Sequence, residues 1–499
     1  MAEQSWHQIY RQLRDQFIEN QYPHLNSGQR EAVLHVKGPA LVLAGAGSGK
    51  TTMLVNRIAH LVRFGPVYAS AYIPAGLTEE KVGMLKNWMH ENQQTMTAPL
   101  PLSIAGMLES DGVDPHQILA ITFTNKAARE MKERVQKQLQ GYSDTMWLST
   151  FHAACARMLR RDIDRLDYGR NFVIYDTQDQ KILIKECVKE LQLNEKKFSP
   201  GMVKGYIGKR KDIMMSPGEC LKEAGNEHYQ KQLAQIYARY ETKLKEYNAL
   251  DFDDLIIKTL QLFEEAPEVL AHYQKRFQYV LVDEFQDTNR PQYQWVRALA
   301  GQHRNLCVVG DDDQSIYGWR GADIGNILGF EKDFPDTRVV KLEQNYRSTA
   351  NILEAANQVV ANNRQRKRKK LFTQSDAGEL LRYQRCSNEY DEAMFLANTI
   401  TGLLEEGYTG SDIAVLYRTH AQSRVLEDAL MKAGIAYRIF GGTRFYDRRE
   451  IRDILAYLKA IENPEDSISL KRILNVPKRG IGDKDRKSTR LNSSHTVIS

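Results

Sequence analysis

The sequence lacks the features that would assign it to several classes of protein. Its 499 residues include five cysteines, and none of them forms a C-x-x-C pair, so neither a zinc site nor a disulfide framework is predicted. No apolar run approaches the roughly 20 residues that span a bilayer, and the N-terminal segment has no apolar secretory region. We therefore expect a cytoplasmic protein with no membrane partner.

Charge of one sign is not in large excess either. The net charge of +6 at pH 7 is compatible with a nucleic-acid partner, but many other proteins share it. The chain is 42% hydrophobic and 26% charged, which is ordinary for a globular protein. Its length predicts about two to four domains.

The sequence does contain a phosphate-loop pattern at residues 41–52, LVLAGAGSGKTT. An apolar run at 40–44 is typical of a buried strand, and it leads through a glycine-rich turn into a helical segment. The glycines let consecutive N–H groups face an anion, and the helix N-terminus adds partial positive charge. Lys50 is expected to reach the outer phosphates of a nucleotide, and Thr51 is expected to bind Mg²⁺. The alternative is a glycine-rich turn without a ligand.

An acidic motif follows a second apolar run, at residues 279–282. That run predicts a buried strand with Asp283 and Glu284 at its carboxyl end, where α/β sheets bind their ligands. Asp283 suits a Mg²⁺ ligand opposite Thr51, and Glu284 suits the base that orients and deprotonates an attacking water. The alternative is an acidic strand end on the protein surface.

A third motif combines a glutamine with aromatic residues in the loop 312–322, DDQSIYGWRGA. Gln314 is expected near a γ-phosphate. Tyr317, Trp319 and Arg320 present stacking surfaces beside a cation, which is the chemistry of single-stranded nucleic-acid binding. The alternative is a buried aromatic corner.

Three further segments carry weaker signals. Gln29, upstream of the phosphate loop, has an amide that could read the edge of adenine. In the segment VVKLEQNYRS, Tyr346 is a candidate for stacking on a base, and Arg347 is a candidate for contacting a developing phosphate charge. The basic block 364–370, RQRKRKK, is either a contact for backbone phosphates or a solvated helix end.

These landmarks occur in one order with several others. They are Gln29, AGAGSGKT from Ala44, ITFTNKAA from Ile121, STFHA from Ser149, LDFDDL from Leu250, LVDEFQDTNRPQY from Leu281, VVGDDDQSIYGWRGA from Val308, LEQNYRS from Leu342 and YRTHAQSRVLE from Tyr417. Together they resemble the UvrD/Rep/PcrA group of superfamily 1 DNA helicases.

The resemblance implies an α/β fold with RecA-like P-loop NTPase motor domains, parallel sheets and inserted, mostly helical subdomains. It implies ATP and Mg²⁺ as cofactors, single-stranded DNA and single-strand/double-strand junctions as partners, and movement in the 3′→5′ direction. The predicted divisions are a first motor domain at 1–152 with a surface insertion at 66–115, a helical subdomain at 153–249, the rest of the first motor domain at 250–345, a second motor domain at 346–443, the start of a second helical subdomain at 444–485, and a non-native-looking tail at 486–499.

The resemblance also implies roles for individual residues. The catalytic set is Lys50, Glu284, Gln314 and Arg347, and the Mg²⁺ ligands are Thr51 and Asp283. The nucleotide-binding set is Gln29, Ala44, Gly45, Ala46, Gly47, Ser48, Gly49, Lys50, Thr51, Thr52 and Tyr346. The DNA-facing set is Phe123, Tyr317, Trp319 and Arg320, with Thr150, His152 and Arg418 as weaker members.

One departure from the family pattern leads to a further expectation. We find neither a T-x-H-x-x-K-G-L-E-like block nor the arginine-bearing block that follows it in the family. The C-terminal motifs are therefore expected to be missing, and the second motor domain is expected to be incomplete. Two hypotheses follow. In the first, the chain is a portion of an ATP-dependent 3′→5′ DNA helicase. In the second, it is a fragment that binds ATP and single-stranded DNA without unwinding.

Overall fold

The computed structural model describes residues 6–92, 101–109, 111–139, 145–364, 366–440, 449–477 and 479. The described residues within 1–378 and 457–479 form one compact unit, and those within 379–456 form a second. A six-stranded parallel sheet with helices on both faces lies in the first unit. This confirms the predicted α/β fold. Among the described residues, no helix combines the length and apolar character needed to cross a bilayer.

The elements have the following bounds. The strands are β1 (Ala40–Ala44), β2 (Ile118–Thr122), β3 (Trp147–Thr150), β4 (Val173–Ile174), β5 (Ala249–Leu250), β6 (Tyr279–Val282), β7 (Leu306–Gly310), β8 (Arg338–Leu342), β9 (Gln344–Asn345) and β10 (Phe372–Thr373). The helices are α1 (Trp6–Asn20), α2 (Ser27–Leu34), α3 (Lys50–Phe64), α4 (Glu79–Glu91), α5 (Leu102–Leu108), α6 (Asn125–Gln138), α7 (Phe151–Asp162), α8 (Thr177–Glu190), α9 (Pro200–Asp212), α10 (Pro217–Glu223), α11 (His228–Glu246), α12 (Phe252–Glu265), α13 (Pro267–Arg276), α14 (Arg290–Ala300), α15 (Gly325–Leu328), α16 (Phe330–Asp333), α17 (Ala350–Val360), α18 (Glu389–Glu405), α19 (Ser423–Lys432), α20 (Arg449–Glu462) and α21 (Ser467–Ile473).

The central sheet has the strand order β3-β2-β6-β7-β1-β8, and all of its pairings are parallel. Parallel strands direct their carboxyl ends to one edge, so the loops after β1, β6 and β7 lie side by side. The register pairs Leu43 of β1 with Gly310 of β7, and Val282 of β6 with Val308 of β7. The phosphate-loop strand and the acidic-motif strand are therefore separated by β7 alone.

Alternating residues of the strands enter two hydrophobic cores, one on each face of the sheet. In β1, Val42 belongs to the core under helices α1 to α6, whereas Leu41 and Leu43 belong to the core under α7 and α12 to α14. Side chains of a strand point to opposite faces in turn. Because both faces are covered, all five residues of β1 are buried, which explains its uninterrupted apolar sequence.

The segment 66–115 is anchored to the N-terminal helix by backbone and apolar contacts. Tyr10 of α1 donates a hydrogen bond to the carbonyl of Met107 at 2.7 Å. Arg14 of α1 donates to the carbonyls of Tyr72 and Ser70, each at 3.0 Å. Apolar residues of α4, such as Leu85, are buried in the same core as β1. This part of the chain is thus packed into the first unit.

A third core holds the predicted helical subdomain together. It is formed by α8 to α11 and the short β4–β5 pair. The segment after Tyr457 packs on it, since Ile468 of α21 is buried in that core. Tyr175 donates to Asp466 at 2.7 Å, and Asn463 donates to the carbonyls of Tyr247 and Asn248 at 2.9 and 3.0 Å. The tail 486–499 lies outside the described residues.

The first unit extends to Gly378, past the boundary at 346 that the sequence predicts. β9 and β10 pair with each other. Leu371 covers the phosphate loop so closely that a Cβ on Gly45 would lie 2.2 Å from its Cδ2 atom. These long-range contacts, which local patterns do not reveal, keep residues 346–378 with the sheet.

The second unit consists of helices in its described part, and α18 packs against α19. The sequence predicts strands at 380–384 and 413–417, and this prediction is wrong for the described residues, because neither segment pairs with another strand. A strand needs a neighbour to satisfy its backbone groups. The side chains of Leu380 and Leu416 are accordingly 84% and 93% exposed.

Replacing Trp295 by alanine tests the core on the α12–α14 face. Trp295 is fully buried and packs against Phe151 with ring centroids 5.8 Å apart. We expect Trp295→Ala to lower the free energy of unfolding by about 3–5 kcal/mol. The control is Trp319→Ala, whose side chain is 70% exposed and for which we expect a change within about 0.5 kcal/mol. Equal losses in denaturant unfolding would contradict this description of the core.

Candidate functional site

The phosphate loop and the acidic motif face each other at the carboxyl edge of the sheet. The Lys50 ammonium lies 3.0 Å from the Glu284 carboxylate. Lys50 begins α3 directly after the loop, and Glu284 follows β6. Both predicted motifs therefore contribute to one site.

The glycines of the phosphate loop have the backbone geometry that the sequence predicts. Gly47 and Gly49 have φ values of 67° and 80°, a region that side chains with a Cβ adopt rarely. The loop is held from outside by Asn345, which donates to the carbonyl of Ala46 at 2.7 Å, and by Tyr346, whose N–H donates to the carbonyl of Gly47 at 2.9 Å. Such a turn directs its remaining N–H groups towards an anion.

Other members of the predicted nucleotide-binding set shape this loop. Ala44 ends β1 and stands where the phosphate-loop pattern has its first glycine. Ser48 is fully buried, and its hydroxyl donates to the carbonyl of Gly45 at 2.8 Å. Thr51 and Thr52 lie in the first turn of α3, and the carbonyl of Thr52 accepts from Asn56 at 2.8 Å.

The two carboxylates of the acidic motif differ in their electrostatic environments. Burial and the neighbouring Glu284 raise the pKa of Asp283 to about 6. Burial would also raise the pKa of Glu284, but the Lys50 ammonium and a hydrogen bond from Gln286 outweigh it and hold that pKa below its usual value. Glu284 has a φ of 49°, and strained backbone of this kind clusters at functional sites.

The donor set fits a nucleotide with a divalent cation. A lysine ammonium, a glycine-rich turn and a helix N-terminus are groups that hold phosphates. Asp283 and Thr51 offer the oxygen ligands that Mg²⁺ prefers. The buried Oδ1 atom of Asp287 accepts no hydrogen bond from the described residues, and burial and Glu284 raise the pKa of Asp287 to about 6. A cation or its water shell would satisfy such an atom.

The loop after β7 is connected to the acidic motif by a glutamine that sequence reasoning missed. Gln286 donates to Glu284 at 2.9 Å and accepts from the N–H of Asp311 at 2.9 Å. Asp311 in turn accepts from the Nε2 of Gln314 at 2.5 Å. The predicted γ-phosphate sensor Gln314 is thus joined to the predicted base. The only signal in the sequence was the position of Gln286 inside DEFQDT.

The candidate adenine contacts are already engaged within the chain. The Nε2 of Gln29 donates to the carbonyl of Ser48 at 2.8 Å, and its Oε1 accepts from the N–H of Asn26 at 3.2 Å. The Tyr346 hydroxyl accepts from Asn26 at 2.8 Å, and its ring is 53% exposed. Arg347 is exposed beside Gly47, so it lies in the same unit as the phosphate loop.

Four of the DNA-facing candidates form one aromatic cluster. Phe123, after β2, stacks on Tyr317 with centroids 5.6 Å apart and an angle of 22° between the planes. Trp319 lies 6.3 Å from Tyr317, and the guanidinium of Arg320 lies 4.5 Å from the Trp319 ring. Because Trp319 is largely exposed, the buried-corner interpretation does not apply to it.

The weaker DNA-facing candidates are placed differently from one another. His152 shares a cavity of about 250 Å³ with Phe123, Tyr317 and Arg320, and burial lowers its pKa. The Thr150 hydroxyl caps α7 by accepting from the N–H of Ala153 at 3.4 Å. Arg418 is exposed in the second unit, whereas the aromatic cluster belongs to the first.

Two residues of the basic block 364–370, Arg366 and Lys369, fit neither interpretation that the sequence leaves open. Lys369 is buried against Asp311, Asp312 and Asp313, at 2.8 Å from Asp311 and 3.0 Å from Asp313. Arg366 lies 2.6 Å from Asp313. Part of the block is therefore an internal ion-pair cluster. No local pattern indicates this, because the partners lie some 55 residues upstream.

Two family models match the chain. The UvrD/REP helicase N-terminal domain matches residues 25–73 and 97–335, and the UvrD-like helicase C-terminal domain matches residues 340–498. The chain belongs to the UvrD/REP helicase family. The gap at 74–96 lies inside the predicted insertion.

Several relatives of this UvrD/REP family chain are named ATP-dependent DNA helicase PcrA. The protein from Bacillus subtilis is 50% identical over 468 residues, which cover 93% of this chain and 57% of the relative. Those from Staphylococcus aureus and Staphylococcus epidermidis are 48% and 47% identical, each over 92% of this chain and 56% of the relative. The chain thus spans little more than half the length of these relatives.

The match to the UvrD-like C-terminal domain corrects one prediction. The expectation that the family's C-terminal motifs are missing is wrong, because that domain is recognised from residue 340 onwards. The matched range also includes most of the tail 486–499, which the sequence predicts to be non-native. The absence of two short sequence blocks does not show that the motifs of such a long domain are missing, because the match extends over residues 340–498.

The raised pKa of Asp283 predicts a pH-dependent effect of Asp283→Asn in metal-free buffer. An ionised carboxylate whose folded pKa is raised destabilises the folded protein above that pKa, and the cost is lost as the pH falls through about 6 towards 4. We expect Asp283→Asn to raise the free energy of unfolding at pH 7.5 by about 2–3 kcal/mol and to have little effect near pH 4. The exposed Asp376→Asn is the control. A pH-independent difference would show that the charge of Asp283 is not its source.

Proposed function

We propose that this chain is the motor portion of an ATP-dependent 3′→5′ DNA helicase that translocates on single-stranded DNA. The proposal rests on one observation: a single loop at the carboxyl edge of the sheet carries both a candidate contact for ATP and candidate contacts for DNA. The loop after β7 contains the phosphate-sensing candidate Gln314 and also Tyr317 and Trp319. A change at the γ-phosphate during hydrolysis would therefore move the same short loop that stacks on the DNA bases.

The residues around the phosphate loop would hold ATP and Mg²⁺. The loop N–H groups and Lys50 would bind the phosphates, while Thr51 and Asp283 would hold the cation. Bound Mg²⁺–ATP supplies a polarised phosphoryl group and a leaving group. Arg347 and Gln314, next to the phosphate loop and the acidic motif, would stabilise negative charge that develops there.

The Lys50–Glu284 ion pair would keep Glu284 a weak base while no nucleotide is bound. A carboxylate that is paired with an ammonium and has a lowered pKa is a poor proton acceptor. When Lys50 turns to phosphate oxygens, Glu284 would lose its partner and become a stronger base. It would then orient an attacking water and accept its proton.

The aromatic cluster would bind one DNA strand without reading its sequence. Every base offers a π-face, so Phe123, Tyr317 and Trp319 would stack on successive bases regardless of their identity. The Arg320 guanidinium beside these rings would add attraction to bases and phosphates. His152, in the same cavity and with a lowered pKa, would take part as a neutral ring.

One observation favours the alternative of ATP and DNA binding without unwinding. Unpaired apolar segments of the second unit, such as those with Leu380 and Leu416, are largely exposed. Partial duplexes with 3′ or 5′ single-stranded tails separate the two functions. Unwinding of 3′-tailed duplexes alone supports the helicase, whereas ATP-dependent binding without strand separation supports the alternative.

Replacing Glu284 by glutamine tests the catalytic assignment. The amide keeps the size of the side chain but cannot accept the proton, so we expect kcat for DNA-stimulated ATP hydrolysis to fall roughly 100-fold to 10,000-fold. Nucleotide affinity should be retained. The matched control is Glu195→Gln, on the helical subdomain, where Glu195 forms an exposed pair with Lys185. Unchanged hydrolysis in Glu284→Gln would disprove the assignment.

Replacing Trp319 by alanine tests the DNA-binding surface. Loss of one stacking platform is expected to weaken binding of an oligothymidylate by about 1–3 kcal/mol, measured by fluorescence anisotropy at one fixed salt concentration. Tyr229→Ala, which removes a stacked ring from the helical subdomain, is the control. Equal affinities for the Trp319 variant and the unchanged chain would place the DNA elsewhere.

A further inference from the structure

Lys369 is a buried lysine held by three consecutive carboxylates. Its side chain is 2% exposed, and the ammonium contacts Asp311, Asp312 and Asp313 at once. Burial would lower the pKa of Lys369, but the carboxylates of Asp311 and Asp312 outweigh it and raise that pKa. Ligand oxygens of the three aspartates lie within 4.8 Å of one another, so the lysine occupies the place that a cation would take.

The backbone around Lys369 is fixed to the same acidic loop. The N–H of Lys367 donates to Asp312 at 2.8 Å, and the side chains of Asn363 and Arg366 donate to Asp313 at 3.1 and 2.6 Å. The segment 361–371, which follows α17 and leads towards the second unit, is therefore attached to the loop after β7 at several points.

The acidic loop positions the phosphate-sensing candidate. One carboxylate oxygen of Asp311, Oδ1, contacts Lys369, and the other, Oδ2, accepts from Gln314 at 2.5 Å. The N–H of Asp311 is bound to Gln286, which also contacts Glu284. Asp311 thus lies between Lys369 on one side and both Gln314 and the Glu284 network on the other.

Without its ammonium, this cluster would not keep its geometry. Asp313 would keep its contact with Arg366. The adjacent buried carboxylates of Asp311 and Asp312, however, would repel each other without a cation between them, and such uncompensated buried charge is costly. Asp311 would then turn or take up a proton, and its bond to Gln314 would change. Misplacement of a group by about 1 Å can lower a catalysed rate by about 100-fold.

We propose that Lys369 is a positioning residue for ATP hydrolysis, which holds Asp311 and through it Gln314 at the γ-phosphate position and fastens the segment 361–371 to that loop. The role of Gln314 rests on the proposed function, whereas the fixing of the loop does not. In this role Lys369 would not contact nucleotide or DNA itself, because its ammonium is held by the three aspartates.

The variant Lys369→Gln separates positioning from nucleotide binding. We expect kcat for DNA-stimulated ATP hydrolysis to fall about 10-fold to 100-fold. The inhibition constant of ADP should stay within about twofold, because ADP contacts the phosphate loop and has no γ-phosphate for Gln314 to contact. Unchanged kcat, or parallel losses of kcat and ADP binding, would overturn the proposal.

A matched variant controls for lost stability. Lys243 is equally buried and contacts Glu186 and Glu190 in the helical subdomain, away from the nucleotide site. Lys243→Gln is expected to lower the melting temperature as Lys369→Gln does while leaving kcat within about twofold. If both variants lose hydrolysis in proportion to stability, Lys369 has only a structural role.

Hydrogen exchange without nucleotide tests the arrangement independently of any activity. In Lys369→Gln, the amides of Gln314 and Lys367 should exchange at least about tenfold faster, while those of β1 should be unchanged. Unchanged exchange at both amides would overturn the proposal even in an active protein. If the unchanged chain fails to hydrolyse ATP, the proposed function fails, and the exchange result still decides whether Lys369 fixes the loop.

Discussion

The ion pair between Lys50 and Glu284 is the interaction on which the rest of the candidate site depends. It exists because parallel strands bring the ends of β1 and β6 to one edge, with β7 between them. Through Gln286 the same pair is joined to the loop after β7, and that loop continues into the aromatic cluster. Hydrogen bonds from Lys50 to Asp311, and then the loop itself, therefore link the groups predicted to hold phosphates with those predicted to hold DNA bases.

The central sheet and its site could be predicted because their signals are local. Strands buried on both faces are continuous apolar runs, so the predicted β6 agrees with the observed one. At the start of α6, Thr124 supplies the capping oxygen by accepting from the N–H of Ala127, although the adjacent Asn125 is an equally suitable capping residue. Neighbouring polar residues compete for that position, and the sequence does not distinguish between them.

The features that sequence analysis missed depend on residues far apart in the chain. Lys369 was indistinguishable from the other residues of its basic block, because the carboxylates that surround it precede it by more than 50 residues. The segments 380–384 and 413–417 have the composition of strands, but composition does not provide a pairing partner. Residues 346–378 remain with the first unit through contacts such as that of Leu371 with Gly45, which no periodicity reveals.

The two hydrogen bonds of the Gln29 amide bear on base selectivity. One N–H of the amide donates to Ser48 and one lone pair accepts from Asn26, which fixes the orientation of the amide and leaves its second N–H and second lone pair for a ligand. A base edge with the opposite pattern would set donor against donor and acceptor against acceptor at this fixed amide, and buried polar atoms left without partners cost more than a single correct contact gains. In the predicted role of Gln29, discrimination between nucleotides would therefore arise mainly from rejection of the wrong base.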